Sequence, residues 1–124
     1  SMFVARVTNG APTTVYGTLT SNGRVGIINN AGIYVGPGGV VNVQGGFLGT
    51  TQNINMQKYL AGGPLEFAGG ELAGAKVVNE GTITVGDNGF VVLAGPTVEN
   101  KGTIDAPGGS VSLVSANSYT LVSK

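Results

Sequence analysis

Groups able to do chemistry are few in this sequence. Its 124 residues include six carboxylates, Glu66, Glu71, Glu80, Asp87, Glu99 and Asp105, and no histidine, cysteine or tryptophan. No Ser-His-Asp or Cys-His nucleophile can be assembled from such a set, and neither can a Cys/His zinc site or a disulfide. Carboxylates alone can still act as an acid–base pair on a glycosidic bond or hold calcium, provided two or more converge. Their spacing argues against convergence. Asp87 and Asp105 lie at or beside glycine turns at non-equivalent places, and Glu80 aligns with Lys101, which reads as a surface ion pair worth little. The expectation is a non-enzymatic protein with no catalytic residue, no metal site and no cofactor.

A second chemistry is carried by amides. Asparagine and glycine recur together, as Asn29-Asn30-Ala31-Gly32-Ile33, Asn79-Glu80-Gly81 and Asn100-Lys101-Gly102. Short amide side chains hydrogen-bond the main chain two residues on, and glycine reaches left-handed conformations, so each run suits a tight corner. Asn29, Asn30, Ala31, Gly32 and Ile33 can be read in two ways: as such a corner alone, or as a surface that contacts a partner.

Composition narrows the partners. The formal net charge is zero and only 10% of residues are charged, against about 25% in an ordinary chain. A nucleic-acid binder needs clustered Lys and Arg to displace counterions, and a polybasic membrane segment needs the same, so neither is expected. No apolar run approaches the ~20 residues of a spanning helix, and the start carries no basic region followed by an apolar one. Phe3-Val4-Ala5 reads as a strand already under way, so a single domain over residues 1–124 is expected, cut from something larger.

The elements that position these groups follow from a repeat. Glycine supplies 23 residues and valine 17, without the every-third-glycine period of collagen and with too many branched aliphatics for disorder. In Gly81–Leu93 the apolar residues sit two apart on either side of a glycine turn, the period of a half-buried strand. Moved back along the chain, Ile83, Val85, Gly86, Gly89, Val91 and Leu93 fall on Ile33, Val35, Gly36, Gly39, Val41 and Val43. Moved forward, they fall on Ile104, Ala106, Gly109, Val111 and Leu113, and a shorter copy opens the chain at Leu19, Gly23, Val25 and Ile27. A third short strand precedes the later copies: Val77, Asn79 and Gly81 match Val98, Asn100 and Gly102, with Ile28, Asn30 and Gly32 as the earlier counterpart.

Three short strands in a repeat of about 20 residues make one coil of an all-β, right-handed parallel β-helix, a solenoid. That geometry places Ile83 over Ile104, Leu93 over Leu113, and Asn79 over Asn100 as a structural amide ladder. An antiparallel sandwich, which also uses many short strands and frequent turns, is the alternative. Residues 44–76 fit the coil less well. They suggest a hairpin outside it, built from Gln44–Leu48 and Leu65–Phe67, with Phe47, Tyr59 and Phe67 covering one face. Tyr16, Tyr34, Tyr59 and Tyr119 are scattered along the sequence and read as surface packing.

The ordered series Arg6–Pro12, Gly17-Thr18-Leu19, Asn22–Val25, Ile28–Gly38, Tyr59–Gly62, Val78–Ile83 and Ala106–Val111 resembles the haemagglutination activity domain, the two-partner-secretion domain that opens filamentous-haemagglutinin-like exoproteins. The resemblance covers nearly the whole chain. It implies a right-handed parallel β-helix exported through the periplasm to the cell surface or medium, as part of an adhesin or related exoprotein. It further implies recognition by an outer-membrane transporter through periplasmic POTRA domains, with a host-cell receptor or carbohydrate as a further partner. The family's Asn-Pro-Asn-Gly motif stands here as Asn29-Asn30-Ala31-Gly32, and the resemblance implies a fragment of a larger secretion domain that lacks the family's N-terminal cap before Phe3. Asn29, Asn30, Ala31, Gly32 and Ile33 thereby become the candidate transporter-recognition residues. A plain structural stalk, which would bind no transporter domain, is the competing function.

Overall fold

Short runs with alternating apolar residues can bury one face only by stacking on copies of themselves, and the chain does so coil upon coil. The structure, a computed structural model, describes residues 2–115 and 118–121. The first coil holds β1 (Met2–Val7), β2 (Thr13–Val15) and β3 (Thr18–Ser21), and the second β4 (Arg24–Asn29), β5 (Ile33–Val35) and β6 (Val40–Val43). The third begins with β7 (Gly46–Thr50). It is then interrupted by an excursion of β8 (Asn53–Ile54), the short α1 (Met56–Leu60) and β9 (Leu65–Ala68), and resumes with β10 (Val77–Asn79) and β11 (Thr82–Val85). After them come β12 (Phe90–Gly95), β13 (Val98–Asn100), β14 (Thr103–Asp105), β15 (Ser110–Ser115) and β16 (Ser118–Leu121).

Equivalent strands pair in parallel to make three walls. Sheet 1 runs β1-β4-β7-β12-β15, sheet 2 β2-β5-β10-β13, and sheet 3 β3-β6-β11-β14. Of the two architectures left open by the pattern, the parallel solenoid is the one present; antiparallel pairing is confined, among the described residues, to β8, β9 and β16. Ile83 lies beside Ile104 and Leu93 beside Leu113, as the repeat predicts.

One alignment is corrected by the structure. Ile33 and Val35 stand beside Val77 and Asn79 in sheet 2, while Ile83 and Val85 stand beside Val41 and Val43 in sheet 3. The match of 83–93 to 33–43 therefore joins different walls, and Ile28, Asn30 and Gly32 are not the counterparts of Val77, Asn79 and Gly81. Two look-alike turns cause the slip. Gly36–Gly39 closes the corner from sheet 2 to sheet 3, and Gly86–Gly89 closes the next corner, each with the last glycine N–H donating to the first glycine carbonyl, at 2.8 and 3.0 Å.

The interior is an aliphatic column. Val25, Ile27, Ile33, Val35, Val41, Val43, Phe47, Val77, Ile83, Val85, Val91 and Leu93 fill it, with Val15, Leu19, Val98, Ile104 and Ala106 packed at its ends. A second apolar layer lies outside sheet 1, where Ile28, Leu48, Val92 and Ala94 meet Ile54, Leu65, Phe67 and Tyr59 of the excursion. The central strands of sheet 1 are thus buried on both faces, which explains why every residue of β7 is buried and why β4 and β12 are buried beyond their first residue. The extra-helical hairpin exists, but in narrower bounds than 44–76. Gln44–Thr50 belong to the coil, and Phe47 points into the interior instead of covering a face.

Phe47 and Leu48 point to opposite faces of β7 and are both fully buried, so each tests one layer. Phe47→Ala should destabilise the fold by about 3–5 kcal/mol and Leu48→Ala by about 2–5 kcal/mol, read from urea or thermal unfolding. A cost below about 1 kcal/mol for Leu48→Ala would mean that the excursion does not seal sheet 1.

Candidate functional site

The candidate residues form the corner at which the second coil passes from sheet 1 to sheet 2. An asparagine is wanted here because strand pairing stops while main-chain groups remain to be satisfied. Asn29 ends β4 with only 1% of its surface exposed. Its Oδ1 accepts the Ala31 N–H at 2.9 Å, and its main-chain carbonyl accepts the Gly32 N–H at 3.0 Å. Its Nδ2 donates to the Ala11 carbonyl at 2.9 Å and to Thr13 Oγ1 at 2.7 Å, tying the corner to the coil before it. Donors and acceptor are used in opposite directions, so the amide has one workable orientation.

Gly32 turns the chain at φ +132°, where a Cβ would meet the Lys76 carbonyl at 3.2 Å. Ile33 then enters the core, 2% exposed, its N–H donating to that same carbonyl at 2.9 Å. Asn30 and Ala31 are only half-buried. Asn30 Nδ2 donates to the Thr51 carbonyl at 2.7 Å, and its own carbonyl accepts the Leu72 N–H at 2.8 Å, so it holds both ends of the excursion against the coil. The structure therefore brings all five candidates together and divides them: Asn29, Gly32 and Ile33 lie inside, while Asn30 and Ala31 reach the surface.

Related asparagine turns recur. Asn9, Asn79 and Asn100 accept the N–H two residues on, from Ala11, Gly81 and Gly102, at 3.0, 3.1 and 3.3 Å. Asn79, 1% exposed, lies beside Asn100 in the sheet 2 register, and its Nδ2 donates to Asn100 Oδ1 at 2.9 Å and to the Thr103 carbonyl at 3.2 Å. Asn29 ties its coil to the preceding one, and Asn79 ties its coil to the following one.

Two shallow depressions flank the corner and share Ala31. One, about 190 Å³, is walled by Pro12, Tyr34, Gly74, Lys76 and Val78; the other, about 230 Å³, by Thr8, Gly10, Asn30, Gly70 and Leu72. No pattern in the sequence announces them, since their walls come from three separate coils.

The carboxylates do not converge. Glu66 pairs with Lys58 at 3.1 Å, and Lys101 lies 3.9 Å from Glu80 and 3.6 Å from Glu99. Among the described residues no group of three acids could hold a metal ion, and no helix is long and apolar enough to cross a membrane. Two of the tyrosines do come together. The rings of Tyr16 and Tyr34 meet edge to face with centroids 6.0 Å apart, and the Tyr34 hydroxyl donates to Glu80 Oε1 at 2.6 Å. That hydrogen bond, with some burial and the negative charge of Glu80 beside it, raises the Tyr34 pKa above the ordinary 10.0. The pairing was legible only in the register that sets Thr14 beside Tyr34; the Tyr119 side chain lies outside those described.

Comparison with known proteins gives two findings. The family model described as the TPS secretion domain matches residues 1–123. A heme/hemopexin-binding protein of Haemophilus influenzae is 35% identical over 120 residues, which cover 93% of this chain and 13% of that protein. The chain thus corresponds to a small part of this relative's length.

Asn29 and Asn30 should separate cleanly by mutation. Asn29→Ala leaves buried carbonyl and N–H groups unpaired and should cost about 2–3 kcal/mol. Asn30→Ala, at a half-exposed position, should cost about 1 kcal/mol. Equal costs in chemical unfolding would contradict the division of the corner into an inner and an outer part.

Proposed function

This chain belongs to the TPS secretion domain family, and on that premise we propose that it is the portion of an exoprotein that the periplasmic POTRA domains of an outer-membrane transporter recognise, with contact made at Asn30 and Ala31. Two-partner-secretion exoproteins are exported through such a transporter, so the chain is a module of a secreted or surface-displayed protein. It works by binding and not by catalysis.

The observation that carries the reading is the division of the corner. Asn29, Gly32 and Ile33 are consumed by the fold, whereas Asn30 and Ala31, half-buried, are held at the surface by hydrogen bonds to neighbouring residues. A recognition element presented on a fixed scaffold loses little conformational entropy on binding. The solenoid suits export as well, because each coil finds its pairing edge on the coil before it and can add in sequence. The H. influenzae relative is named for binding heme and hemopexin. We assign this chain no such ligand, since the match spans a small part of that protein; a host receptor, carbohydrate or adhesive role would belong to the full exoprotein.

Titration of the chain against the periplasmic domains of its own transporter, by calorimetry, tests the assignment. Saturable binding is expected, weakened about fivefold or more by Asn30→Ala and unchanged by Thr84→Ala on the outer face of sheet 3. Absence of saturable binding would leave the stalk reading.

A further inference from the structure

We propose that the two depressions flanking Ala31 act as one groove that receives an extended, carboxylate-bearing peptide segment of the transporter's periplasmic part. The inference rests on the recognition reading above and specifies the surface and the chemistry of the partner.

Three features of the groove select that occupant. First, glycines open the walls of both depressions. Gly10, Gly32, Gly70 and Gly74 contribute to them, and at Gly10 and Gly74 a Cβ would meet no atom within 4 Å. Main chain is therefore reachable from solvent along both depressions, which suits a partner that offers its own backbone in extended form.

Second, the apolar contacts are split. Pro12 and Val78 line one depression, and Leu72, 49% exposed, lines the other, with Ala31 as the low saddle between them. Alternate side chains of an extended segment point the same way about 7 Å apart, and the proposed segment lies with one such side chain in each depression and the residue between them over Ala31, which both depressions share. A small residue at the saddle is a requirement of this arrangement; a long side chain there would divide the groove.

Third, the charge is one-sided. Lys76 is exposed, lines the first depression and takes no part in the ion pairs formed among the described residues. Among the described residues no aspartate or glutamate lines either depression, and Glu71, between the wall residues Gly70 and Leu72, has its Oε2 buried away from solvent. A carboxylate on the partner would find an unneutralised ammonium at one end of the groove, which fixes the direction in which the segment lies.

The test uses the intact chain and the periplasmic domains of its transporter, with affinities from calorimetry and folding of each variant checked by its unfolding curve. Ala31→Arg is expected to weaken binding about tenfold or more by filling the saddle. Lys76→Glu should weaken it about fivefold or more, with a loss that shrinks as salt is raised. Thr84→Ala should match the wild type. If the wild type binds and both groove variants stay within about twofold of it, the groove is overturned while recognition elsewhere stands. If the wild type does not bind at all, the recognition reading itself fails. Should Ala31→Arg fail to fold, Lys76→Glu alone decides, because its side chain lies at the surface.

Discussion

Every corner of a parallel solenoid leaves main-chain groups that no neighbouring strand can pair, and in this protein asparagine amides take up much of that pairing. Asn29 and Asn79 are the clearest cases. Each accepts from the N–H two residues on and donates to an adjacent coil, so one side chain both closes a turn and fixes the register of two rungs. That register is what keeps Ile83 over Ile104 and Leu93 over Leu113. A slip of one residue would turn the aliphatic column outward. Corner chemistry and core packing are therefore one constraint, seen from the edge and from the middle of each strand.

The same constraint shapes the surface. Because Asn29, Gly32 and Ile33 are committed to the corner and the core, their neighbours Asn30 and Ala31 are displayed on a support with little freedom to move. The excursion from the third coil adds a second layer over sheet 1 and returns along the corner, where the Leu72 N–H meets the Asn30 carbonyl. It thus finishes the core and contributes Gly70, Leu72, Gly74 and Lys76 to the walls of the two depressions beside Ala31. The excursion is itself braced from further along the chain, where β16 pairs antiparallel with β9.

Much of the fold was legible in the sequence, and the exceptions have physical reasons. Period-two apolar residues separated by glycine turns announced the parallel coil. The pairing of 77–81 with 98–102 was readable because both runs turn the same corner with the same asparagine. Residues 33–43 were misaligned because Gly36–Gly39 and Gly86–Gly89 make alike turns at different corners, and glycine spacing alone does not say which wall a strand joins. β7 reads as part of a hairpin because the centre of sheet 1 is buried on both faces, which erases the alternation that marks a coil strand. For the site, the sequence marked the run 29–33 but not its division. Whether Asn29 turns inward depends on Ala11 and Thr13 in another coil, and the depressions beside Ala31 depend on residues 70–78 returning to the corner.

The most direct test of the account is hydrogen–deuterium exchange on the chain alone and in the presence of its transporter's periplasmic domains. Asn29–Ile33 should exchange slowly in the free chain, and the complex should add protection at 8–10, 30–31 and 70–76. Added protection along the outer face of sheet 3, at 82–84 and 103–105, with none beside Ala31, would contradict it.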